Sequence, residues 1–130
     1  MADTVLIVED DPDGQEVLAR ILFRANVPVE LTGTAEDALD ILSVDDHALV
    51  IIDLALPGMD GFELVKLIRE KDAVAGVPCL AITAFHTPTL KQKVMQSGFD
   101  GYFAKPLDDQ RLIAKIKSII QSQPSDDTNS

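Results

Sequence analysis

The chain of 130 residues has 46% hydrophobic and 25% charged side chains, which suits one compact globular domain and excludes collagen, coiled-coil arrays and wholesale disorder. Its 22 acidic and 11 basic side chains give a formal net charge of −11, a balance that opposes binding to nucleic-acid phosphates or to anionic membranes. No apolar run approaches the roughly 20 residues of a membrane span, the N-terminus lacks the pattern of a signal peptide, and the lone Cys79 excludes an internal disulfide, so the expected compartment is the cytoplasm.

Val5-Leu6-Ile7-Val8 is a short β-branched run stopped by Glu9, which predicts a buried parallel strand. Asp11-Pro12 then supplies an N-cap and a first-turn proline, and Val17, Leu18, Ile21, Leu22 and Ala25 recur at helical spacing up to about Asn26. Pro28 to Leu31 reads as a weaker strand. Thr34 with Asp37 resembles a capping box before a short helix with Ala38, Leu39, Ile41 and Leu42 inward. Leu49-Val50-Ile51-Ile52 is the most strand-like run, ends at Asp53 and enters a loop with Pro57, Gly58 and Gly61. Phe62, Leu64, Val65 and Ile68 mark a third helix, Cys79 to Ile82 a fourth strand, and Thr87-Pro88 the start of a helix stopping near Gly98. Tyr102-Phe103-Ala104 gives a fifth strand. Asp108 or Asp109 caps a last helix with Leu112, Ile113, Ile116, Ile119 and Ile120 on one face, and residues 123–130 read as a polar, frayed tail after a domain over 1–122.

Five strand-helix units predict an α/β, doubly wound parallel sheet, whose ligands bind beyond the carboxyl ends of the strands. Polar residues gather at those ends: Glu9 and Asp10 after the first strand, Asp53 after the third, Thr83 after the fourth and Lys105 after the fifth. Three carboxylates brought together must keep a proton or take a cation between them, and oxygen ligands without His or Cys favour magnesium or calcium. A small, open site that keeps water suits magnesium, which usually also engages a phosphoryl group. The charges of Glu9, Asp10 and Asp53 against a divalent ion and Lys105 sum to zero, so an incoming phosphoryl group meets a neutralised pocket. Asp53 then has the chemistry of a carboxylate nucleophile, with Thr83 as a hydroxyl donor.

These residues together resemble the receiver domain of two-component response regulators. The resemblance is carried by Glu9-Asp10, Asp53 with its Leu-Pro-Gly-Met-Asp-Gly loop, Thr83-Ala84 and Tyr102 leading to Lys105-Pro106, and it spans residues 4 to about 122. It implies a flavodoxin-like sheet of strand order 2-1-3-4-5. It implies that Asp53 accepts a phosphoryl group from a sensor histidine kinase or a histidine phosphotransfer protein, in a step catalysed by the receiver itself. Magnesium would be held by Asp10, Asp53 and the backbone carbonyl of Ala55, with Glu9 directly or through water, while Lys105 pairs with a phosphoryl oxygen. Thr83 and Tyr102 would form a switch that remodels the fourth helix, fifth strand and fifth helix for a downstream protein target.

The same resemblance covers stand-alone receivers, the receiver portion of a hybrid histidine kinase and phosphorylation-independent adaptors; loss of Asp53 or Lys105 would mark the last, and both are present. Ala55 and Phe85 carry no group to orient water. With Phe85 leaning over the pocket, that predicts slow self-dephosphorylation. His47 and His86 lack ligand spacing and read as loop residues, and Cys79 reads as a small apolar filler.

Overall fold

Five apolar runs pair into one parallel sheet in the computed structural model of the chain, which describes residues 3–122. The tail expected over 123–130 lies outside the described residues. In chain order the elements are β1 (Val5–Val8), α1 (Pro12–Arg24), β2 (Val29–Thr32), α2 (Ala35–Val44), β3 (Leu49–Asp53), α3 (Gly61–Glu70), β4 (Cys79–Thr83), α4 (Pro88–Gln96), β5 (Gly101–Ala104) and α5 (Asp109–Ser122). The strand order is β2-β1-β3-β4-β5, with every neighbouring pair parallel, as the resemblance implied.

The strands are continuous apolar runs because both faces of the sheet are covered. Leu6, Val8, Val50, Ile52, Cys79 and Ala81 pack with buried side chains of α2, α3 and α4. Val5, Ile7, Leu49, Ile51, Leu80 and Ile82 face Leu18, Ile21 and Leu22 of α1 and Leu112 and Ile116 of α5. The period of two along each strand thus sorts side chains between the layers.

Local chemistry fixes the helix ends. Asp11 caps α1 through Asp13 N, with Pro12 in the first turn. At its other end Asn26 takes a φ of 60° and Val27 N donates to Leu22 O at 2.9 Å, so α1 closes two residues before the expected Asn26. Val17 is 45% exposed, on the border of the buried stripe rather than in it. Thr34 caps α2 through Asp37 N at 3.0 Å, whereas the reciprocal capping box occurs at Asp60 and Glu63, where α3 begins. Asp108 rather than Asp109 caps α5, accepting from Arg111 N at 3.2 Å.

Two polar networks join elements distant in sequence. Arg69 of α3 donates to the carbonyls of Ala75, Val77 and Gly98 and to Asp100 Oδ2, and that same oxygen accepts Cys79 N at 2.9 Å. The guanidinium thereby ties the segment before β4 to the turn before β5. His47 lies in the loop between α2 and β3, as expected, and is 9% exposed, with Nε2 2.8 Å from Glu30 Oε1 and Nδ1 3.3 Å from Asp45 O. Burial forces an imidazole to find hydrogen-bond partners, and β2 supplies one from across the sheet edge.

Candidate functional site

Parallel strands place all their carboxyl ends on one edge, and the order around β1 and β3 decides which side chains meet there. Val8 of β1 lies in register with Ile52 of β3, so Glu9 and Asp10 emerge beside Asp53. Carboxylate oxygens of Glu9, Asp10 and Asp53 all lie within 4.8 Å of one another; Glu9 and Asp53 are buried and Asp10 is exposed. Lys105 enters from the far strand: its Nζ is 2.8 Å from Glu9 Oε1 and 3.4 Å from Asp53 Oδ2.

The turns hold these groups in place. Ala55 N donates to Asp53 Oδ1 at 2.9 Å, folding the loop after β3 back onto the strand end. Asp11 N donates to Glu9 Oε2 at 3.3 Å, and Gln15 Nε2 to the Glu9 carbonyl at 2.7 Å. Thr83 is 1% exposed; its Oγ1 accepts Phe85 N at 3.0 Å, and its carbonyl accepts Lys105 N at 2.8 Å. Tyr102 of β5 is half-buried, its hydroxyl sharing a 2.7 Å hydrogen bond with His86 Nδ1.

The electrostatics follow from crowding. Burial, followed by the neighbouring Asp53, raises the Glu9 pKa above the usual carboxylate value, with Lys105 and the Asp11 amide only partly opposing. Burial works against the charge on Lys105, yet its bond to Glu9 and the charge of Asp53 outweigh that and hold its pKa high. Both shifts favour the protonated form, as they must where negative charge is in excess. An all-oxygen donor set with surplus negative charge fits a hard divalent cation, and a partly open cluster that leaves room for water fits magnesium.

The model of the response regulator receiver domain matches residues 5–117. The chain belongs to that family. It is therefore a receiver domain of two-component signalling, a family that binds magnesium and works with histidine kinases and downstream targets. It is 34% identical to an uncharacterised 14.6 kDa protein in the sodA1 3′ region of Leptolyngbya boryana, over 94% of this chain and 93% of that one. It spans about half the length of other curated relatives, among them a Staphylococcus aureus response regulator. A crystal structure of a response regulator from Chloroflexus aurantiacus superposes with a TM-score of 0.88 at 31% identity, over 93% of this chain and 99% of that one. The receiver domain of the Pseudomonas aeruginosa sensor histidine kinase PA1611, with magnesium coordinated in its active-site cleft, superposes with a TM-score of 0.85 at 26% identity, over 94% and 100% of the two chains.

Within this receiver, Glu9, Asp10, Asp53 and Lys105 come together as the sequence predicted, with Thr83 tied to Lys105 through the backbone. Phe85, expected to lean over the pocket, is 72% exposed, and Thr83 Oγ1 accepts its amide. Three more residues abut the site residues. Gln15 and His86 left no sequence signal, since each acts through a contact fixed only by the fold. Gly14, a glycine inside a helical pattern, did leave one.

Proposed function

We propose that Asp53 is the phosphoacceptor of this receiver, taking a phosphoryl group from a phosphohistidine on a sensor kinase or a histidine phosphotransfer protein. The observation that carries the reading is the meeting of Glu9, Asp10 and Asp53 oxygens within 4.8 Å, with Lys105 bridging Glu9 and Asp53. An Asp53 oxygen bonds to phosphorus as the P–N bond breaks, and the imidazole leaves with that electron pair. The Ala55 amide on Oδ1 fixes the carboxylate plane, so the reacting oxygen is presented without further search. Lys105, already against Asp53 Oδ2, moves onto a phosphoryl oxygen, and the Thr83 hydroxyl donates to another.

Asp10, Asp53 and the Ala55 carbonyl would hold magnesium, with Glu9 directly or through water. When bound, magnesium offsets the carboxylate charge and draws charge from the phosphoryl oxygens. Thr83 and Tyr102 act as the switch, passing the change to α4, β5 and α5, elements that carry Lys91, Lys93, Arg111, Lys115 and Lys117 and would dock a downstream protein. Residues 1–122 form the receiver unit, working in the cytoplasm. Self-dephosphorylation is slow because neither Ala55 nor Phe85 offers a group that positions water.

The test is incubation with acetyl phosphate and magnesium, followed by mass mapping of the modified residue. Labelling on Asp53, abolished in Asp53→Asn and by a chelator, is the expected result. A phosphate that survives either treatment refutes the assignment.

A further inference from the structure

Gly14 stands in the first turn of α1, where glycine is a poorer choice than almost any other residue. Its backbone gives no reason for it, because the positive-φ glycines among the described residues are Gly58 and Gly98. The reason lies in the neighbour. A Cβ at position 14 would lie 2.6 Å from Glu9 Oε1, 2.8 Å from Glu9 Cδ and 3.0 Å from Glu9 Cγ. All three atoms belong to the same buried side chain, whose Oε1 is 2.8 Å from Lys105 Nζ. The first turn of α1 also grips Glu9 through Asp11 N and Gln15 Nε2.

We propose that Gly14 is a positioning residue for the acidic site: the space left by its missing side chain lets the long Glu9 side chain lay its carboxylate against Lys105 and beside Asp53. This rests on the reading of the cluster as a magnesium-holding phosphoacceptor site. A methyl group at position 14 displaces the end of a flexible side chain rather than backbone, so the fold survives and the carboxylate moves. Shortening Glu9 to aspartate removes Cδ and Oε1, the two atoms nearer than 3.0 Å, and makes a side chain at position 14 tolerable. Glycine 14 and glutamate 9 are thus one structural solution.

The experiment uses the full chain as wild type, Gly14→Ala, Glu9→Asp and the double variant, with magnesium affinity measured by titration calorimetry, thermal unfolding, and a crystal structure of Gly14→Ala. Gly14→Ala is expected to weaken magnesium binding roughly tenfold, without lowering the unfolding temperature, and to separate Glu9 from Lys105 in the crystal. The double variant is expected to bind within about twofold of Glu9→Asp alone. Unchanged affinity in Gly14→Ala, a penalty that simply adds in the double variant, or a retained Glu9–Lys105 contact overturns the proposal. Should Gly14→Ala unfold, the double variant decides: restored folding supports the pairing and continued unfolding refutes it. Failure of the wild type to bind magnesium or to be labelled on Asp53 counts instead against the phosphoacceptor reading, which the crystal readout does not depend on.

Discussion

Asp10→Asn tests the crowding of negative charge directly, because stability should change in opposite directions with and without metal. Asp10 oxygens lie within 4.8 Å of those of Glu9 and Asp53. At that separation two like charges repel by about 0.9 kcal/mol with the screening of bulk water and by about 3.5 kcal/mol at an effective dielectric of 20. Asp10 is exposed, so the lower figure governs, and two such repulsions amount to about 2 kcal/mol. Neutralising Asp10 should therefore stabilise the metal-free chain by about 1–2 kcal/mol. Magnesium at about a hundred times its Kd adds about 2.7 kcal/mol to the wild type, but only about 0.4 kcal/mol to a variant that binds roughly a hundredfold more weakly. The ranking then turns over by up to about 1 kcal/mol. Urea unfolding followed by far-UV circular dichroism suits a chain without tryptophan, with and without magnesium at fixed ionic strength. About 1 M salt should shrink the metal-free advantage, since the Debye length falls to about 3 Å. An Asp10→Asn chain that is less stable than wild type without metal, or that gains as much from magnesium, refutes the reasoning.

Three further outcomes follow from contacts away from the acidic cluster. Arg69→Leu should cost about 2–4 kcal/mol in the same urea titration, because one guanidinium serves three carbonyls and Asp100; a loss below about 1 kcal/mol would show the staple to be dispensable. The Cys79 thiol, pushed up to about 12 by burial, should resist iodoacetamide at pH 8 in the folded chain. Since the unfolded thiol ionises near 9 and the folded one does not, its stabilising contribution is complete below pH 9 and declines as pH rises toward 12, by up to about 1.4 kcal/mol per pH unit, a slope that Cys79→Val should lack. His86→Leu removes the 2.7 Å bond to Tyr102; stability should change by less than about 1 kcal/mol while the Tyr102 ring resonances shift, and an unmoved spectrum would deny His86 any hold on the ring.

The sequence by itself carried what depends on local periodicity and on chain order. Apolar runs of four or five residues, each followed by a helical repeat, specify a covered parallel sheet, and parallel strands oblige Glu9, Asp10, Asp53, Thr83 and Lys105 to share one edge. The capping residues Asp11, Thr34 and Thr87 were legible because a cap acts within three positions of itself. Only the tertiary structure decided which side chains touch across that edge. Lys105 reaches Glu9 over 96 positions, His47 meets Glu30 over 17 and Arg69 meets Asp100 over 31, and no local pattern encodes such a distance. The same holds for the space at Gly14, which matters because β1 aims Glu9 at the first turn of α1, and for the exposure of Phe85, whose amide is held by Thr83. Composition and period determine which layer a residue joins; the rotamers, turns and burial that settle its partners exist only once the layers have packed.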